Sequence, residues 1–151
     1  EINWPRETNQ ITQNSCELTT QHIFLISKSQ IEAIDQFSSK NKINRFELLF
    51  HVWIHTMYNV TGQTDFCIGV PLRQRYNSQT SNKISCNLNM LCLRLTEKVF
   101  KDGVSSIKET SQVIQQSLVN QDLSFTQIRQ LIGPQSTRRS PVFQTLFALQ
   151  D

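Results

Sequence analysis

A chain of 151 residues, 38% hydrophobic and 18% charged, has the length and apolar content of one domain with a real core, which excludes a disordered polypeptide. Its net charge of +3 is spread thinly, and the densest basic spot is only Arg138 with Arg139, so a nucleic-acid footprint is excluded. No apolar run approaches the roughly 20 residues of a membrane-crossing helix. Membrane partners are therefore not expected.

Residues 1–15 lack periodicity and carry Trp4 and Pro5, as a linker laid over a surface would, ahead of a domain over 16–151. Leu18 to Ile26 alternates and predicts a strand, with His22 and Phe24 on one face and Ile23 and Leu25 on the other. A helix then starts at Ser27. Gln30 completes a capping box, Ile26 and Ile31 a hydrophobic staple, and Ile31, Ile34 and Phe37 the buried side. The next helix has the same signature, with Asn44 as cap, Glu47 three residues on, and Ile43 and Leu48 as the staple. Phe46, Leu49, Phe50, Trp53 and Met57 form its stripe. After a break at Val60 to Thr64, Phe66 to Val70 is so continuously apolar that a strand covered on both faces is predicted.

Leu72 to Cys86 has no period and is predicted as a loop. Leu88 to Leu95 is a strand, and Asp102 with Gly103 leads into a helix whose inner side is Val104, Ile107, Ile114 and Leu118. Ser124 and Gln127 make a third capping box, Leu123 and Ile128 a third staple, and Gly133 with Pro134 the stop. Val142 to Leu149 is a last strand. Strands separated by helices argue for an α/β fold: a two-layer sandwich of a mixed β-sheet with helices mainly on one face.

Chemistry-bearing patterns are few. His51 and His55 stand four apart on a helix, the spacing of two metal-binding imidazoles, but Val52 occupies the place of a metalloprotease's glutamate and the pair faces away from the apolar stripe. No metal is expected. His22 is expected to be a hydrogen-bonded, partly buried histidine, not a lone base. No serine sits in a Gly-x-Ser-x-Gly turn, and four scattered glycines make no phosphate loop. Cys16, Cys67, Cys86 and Cys92 lack Cys-x-x-Cys spacing, and Cys67 and Cys92 fall inside apolar strands, as buried thiols of a reducing, cytoplasmic compartment do. The N-terminus has neither a signal peptide's apolar centre nor an initiating Met, so a piece of a longer chain is expected.

Thr61, Gly62, Gln63, Asp65, Gly69, Pro71 and Arg75 resemble the "YTGQxDxxxGxPxxxR" stretch of nonribosomal peptide synthetase condensation domains, with Val60 in place of Tyr. Ile84, Asn89 and Arg94 match "IGxFVNTxxxR", in which Ser85 replaces Gly and Asn87 replaces Phe. Asn120, Gln121, Asp122 and Phe125 match "NQDxPF" with Ser124 for Pro, and Arg139, Ser140, Pro141 and Phe143 match "RSPLF". The resemblance covers nearly the whole chain. It implies the C-terminal half of a condensation domain, a chloramphenicol acetyltransferase-like lobe facing an N-terminal half across a substrate channel. Phosphopantetheine would be carried by partner carrier proteins, with no cofactor bound directly.

The resemblance implies substrate-channel candidates Asn89 and Arg94; for Asn89 a buried amide tying two backbone segments is an equal alternative. Gly62, Gln63, Asp65, Gly69, Pro71, Arg75, Gln121, Asp122, Phe125, Arg139 and Pro141 take structural roles. No catalytic residue is carried over, because the family's His-His-x-x-x-Asp-Gly motif belongs to the N-terminal half and "YxDFAVW" is also absent. Amide-bond formation by the whole domain follows, with no activity expected of this chain alone. Its partners would be the missing half and carrier domains, with self-association through the face left bare. A non-catalytic docking module, or part of an epimerising or ester-forming relative, are the alternatives.

Overall fold

A computed structural model describes residues 2–5, 20–73, 88–101, 103–133 and 142–150. Along them run α1 (Lys28–Asn41), α2 (Arg45–Thr61), β1 (Phe66–Arg73), β2 (Leu88–Leu95), a 3₁₀ turn (Glu97–Phe100), α3 (Val104–Val119) and α4 (Phe125–Ile132). Capping chemistry sets three of the starts. Ser27, Asn44 and Ser124 each accept from the backbone N–H three residues on, while Gln30, Glu47 and Gln127 reach back to the cap. Each box satisfies two donors that a helix end otherwise leaves orphaned. At the other end of α2, Gly62 turns left-handed at φ 67° and donates to Tyr58 O at 2.7 Å, a conformation that strains any residue with a Cβ.

β1 and β2 pair antiparallel from Phe66↔Leu95 to Arg73↔Leu88. Alternation puts Phe66, Ile68 and Val70 beside Leu91, Leu93 and Leu95 on one face, against Phe50, Ile54 and Met57 of α2 and Ile114 of α3. Each such side chain contributes about 1.5–3 kcal/mol by leaving water. A smaller cluster of Ile43, Leu48 and Ile107, with Ile34 beside it, fastens α1 to α2 and α3. The two-layer α/β arrangement with helices on one face is therefore present, and a single parallel bridge between Gly69 and Leu146 makes the pairing mixed.

Several expected elements differ. Residues 20–27 form no strand, and Ile23, Phe24 and Leu25 are exposed, because nothing described pairs with them. His22 is exposed with them, not partly buried. Val142 to Leu149 is reduced to the one bridge at Leu146. The buried face of α2 is rotated from the expected stripe: Ile54 and His51 are buried, whereas Phe46 and Trp53 only flank the core. On α3, Val104 is exposed and Ser106 and Thr110 are buried instead. On α1, Ile31 and Phe37 are exposed, and Ser38 is the residue buried. Leu72 and Arg73, expected in the loop, continue β1, and the rest of that loop lies outside the described residues. Ile2, inside the expected linker, is buried in the main core with its N–H on Gln144 Oε1 at 3.0 Å.

Candidate functional site

The four sequence motifs meet in space as a closed circuit. From the first to the second, Asp65 at the start of β1 receives Arg94 of β2 in a two-pronged pair, Nε to Oδ1 at 2.9 Å and Nη2 to Oδ2 at 2.7 Å. From the second to the third, Asn89 Nδ2 donates to Gln121 O at 3.1 Å and Leu123 O at 3.0 Å, and its Oδ1 accepts from Phe125 N at 3.1 Å. Between third and fourth, the rings of Phe125 and Phe143 lie 5.3 Å apart. Phe143 then closes on the first motif by packing against Gly69, where any Cβ would collide with its ring.

Gly69 belongs to the alternation opposite the helix-covered face, so Phe143 sits on the sheet's other side. Its backbone is also spoken for, since Gly69 N donates to Thr145 O and Phe147 N donates to Gly69 O, both at 2.9 Å. A glycine inside an apolar strand is the signal of such a close approach.

Asn89 is buried, and Met90 N adds a fourth hydrogen bond to its Oδ1 at 2.9 Å. Both donors and the acceptor of the amide are thereby engaged. Arg94 is more exposed, and its hydrogen bonds hold the Asp65 carboxyl below the usual carboxylate range. Gln63 lies beside the N-terminal segment, its Oε1 accepting from Asn3 N. Pro71 lies in β1 opposite Met90, and Asp122 is exposed in the turn before α4. Arg75, Ile84, Arg139 and Pro141 lie outside the described residues.

The histidine pair has turned inward, toward α3. The Thr110 hydroxyl gives its hydrogen to Ser106 O at 3.1 Å, so at 2.8 Å its oxygen accepts from His51 Nδ1, while His55 Nε2 donates to Val99 O at 3.0 Å. Burial first, and His55 second, lower the His51 pKa to about 4. His51 is thus held neutral, and both rings act as struts between α2 and its neighbours. Among the described residues no group of three or more potential ligands could hold a metal. Burial raises the thiols of Cys67 and Cys92, the latter to about 11, which leaves neither activated. Among the described residues no helix is long and apolar enough to cross a membrane.

Alongside β2 runs a groove of about 560 Å³, walled by α3 and closed at one end by Leu123 and Ile128, with Arg94 and Lys98 at the other.

The family model of the condensation domain matches residues 1–151. The chain is 28% identical over 131 residues to cyclosporin synthetase of Tolypocladium inflatum, covering 83% of this chain. It is 25% identical over 130 residues to tyrocidine synthase 3 of Brevibacillus parabrevis, covering 85%. It spans 1% and 2% of those relatives' lengths. Among solved structures, a four-domain nonribosomal peptide synthetase bound to AMP and glycine superposes with a TM-score of 0.78 at 15% identity, over 84% of this chain and 10% of that one. The condensation domain of the Monacolin K polyketide synthase gives 0.69 at 18% identity, over 80% and 29%.

Proposed function

The chain belongs to the condensation-domain family, and on that premise we propose that it forms one wall of the channel in which a nonribosomal peptide synthetase joins two carrier-tethered acyl groups by an amide bond. In that reaction the amine of one phosphopantetheine-borne aminoacyl group attacks the thioester carbonyl of another. The C–S bond breaks, the carrier thiol leaves, and the amine gives up a proton. The observation that carries the reading is the circuit of four joints, which gives each of the motifs a neighbour from another motif and so makes them one surface.

This chain's part is to position. Asn89 holds the turn ahead of α4 against β2, and the Arg94–Asp65 pair fixes the mouth of the strand ladder. The proton is left to the partner half, because His51 is spent on Thr110 of α3 and His55 on Val99 O of the 3₁₀ turn. A missing general base costs about 10²- to 10⁴-fold. Purified chain should therefore form no carrier-bound peptide from loaded carriers, and addition of a polypeptide carrying the His-His-x-x-x-Asp-Gly half should restore product by mass spectrometry. Full-rate condensation by the chain alone, or none after a folded complex with that half has formed, would overturn the proposal.

A further inference from the structure

The two hydrogen bonds that Gly69 makes toward Thr145 and Phe147 fix which backbone groups of β2 look outward. Gly69 spends its N–H and C=O away from β2, so the pair Gly69↔Cys92 is one in which Cys92 also points its N–H and C=O away from β1. By alternation Met90 and Arg94 do the same. Asn89 Oδ1 occupies the Met90 N–H, and the outward groups of Cys92 and Arg94 have no backbone partner among the described residues. They open into the groove beside β2, with Leu91, Val99 and Val113 on its helix side and Met90 and Cys92 on the other. The groove is mixed, with Glu109, Gln112 and Gln116 among its walls beside those apolar side chains, and an unpaired edge lying along it is a template for one more strand.

The same molecule carries a segment suited to that edge. Residues 20–27 lie outside any helix or strand and make no backbone hydrogen bond to another described residue ahead of Ser27. Ile23 to Ile26 is an unbroken apolar run, as in a strand covered on both faces, and these four residues are 73%, 74%, 94% and 44% exposed. These four side chains offer on the order of 500 Å² of apolar surface, about as much as the largest patch of a typical monomer. We propose that residues 21–26 of a second copy of this chain add as a third strand to the free edge of β2, reciprocally, in a two-fold exchanged dimer. Two such segments and the groove walls that receive them bury on the order of 2,000 Å² in total, which is what a stable dimer needs. The exchange presents Ile23 and Leu25 to one side of the groove and Phe24 and Ile26 to the other.

The test uses the chain as it stands, by light scattering and residue-resolved amide hydrogen exchange. The parent should run at twice its chain mass, with exchange at Cys92 and Arg94 slowed more than about tenfold relative to a monomeric variant. Ile23→Lys and Leu25→Lys, at exposed positions, should keep the parent's circular dichroism, halve the mass and release both amides together. A monomeric parent at high concentration overturns the proposal. So does a dimer that survives both lysines, or one that dissociates while Cys92 and Arg94 exchange unchanged.

Discussion

Replacing Asn89 separates a tie from a ligand contact more cleanly than any other single change. Asn89→Ala removes four hydrogen bonds, stranding Gln121 O, Leu123 O and the backbone N–H groups of Met90 and Phe125. At 0.5–1.5 kcal/mol net for each, and with water reaching some of the freed groups, the loss is about 2–4 kcal/mol, or roughly 5–15 °C in melting temperature. Asn89→Asp preserves the two acceptor roles but turns a carboxylate on two carbonyls, so at neutral pH it should be no more stable than the alanine variant. The new carboxyl's folded pKa is then raised above its unfolded value. Protonated side chains favour the fold, so the aspartate variant should gain on the alanine variant as pH falls through that raised value. Taking the difference between the two variants cancels every other titration. Urea unfolding from pH 4 to 8 reads the whole scheme. An Asn89→Ala protein within about 0.5 kcal/mol of the parent would refute the tie and leave the amide free for a substrate.

Two further changes probe the same framework. At Gly69 a methyl group would lie 2.5 Å from Cζ and 2.8 Å from Cδ2 of Phe143, so Gly69→Ala should cost about 1–3 kcal/mol in urea unfolding, most of it recovered when Phe143→Leu is added; an additive pair of losses would refute the contact. His51 is the group that sets the acid limb. Its folded pKa, lowered to about 4, lies below the unfolded 6.5, so its contribution is complete above pH 6.5 and is lost as pH falls toward 4. The ionisable group against its ring is His55, one turn along α2, and it lowers the value further. Discounted for solvent, the loss is about 1–3 kcal/mol, and His51→Gln should flatten the stability curve between pH 4 and 6.5. An unchanged slope in that variant would place the acid sensitivity elsewhere.

Helix starts were the most legible part of the chain, because a capping box is settled by residues three apart and needs no tertiary knowledge. Ser27, Asn44 and Ser124 all cap where their sequence says. β2 was legible for a similar reason, its apolar alternation being buried on one side only. What could not be read was which face of a helix would meet which neighbour. The stripe drawn through Phe46, Trp53 and Met57 omitted Ile54, and it put His51 opposite the core when a hydroxyl on α3 draws the imidazole inward. Thr110 and Ser106 look like solvent-side residues until that histidine is placed. The strand expected from Leu18 to Ile26 has the right pattern, but a strand exists only with a partner, and pattern alone does not supply one.

The candidate site was legible in kind but not in arrangement. Motif resemblance picks Asn89, Arg94, Asp65, Gly69 and Phe125 without saying that they touch, and it matches Phe143, which completes the circuit, only as the end of the last motif, with no role given to it. The joints are unequal. Asp65 and Arg94 are more than half exposed, so their pair fixes geometry while water and salt weaken its energy. Asn89 and the Gly69–Phe143 contact are neutral and shielded, and the segments they join are separated by more than thirty residues. Closing a long loop costs little more entropy than closing a short one, so a few well-made joints of this kind are enough to hold distant segments in one surface. A surface held mainly by amide and aromatic contacts keeps its shape as salt rises, because those joints carry no net charge to be screened.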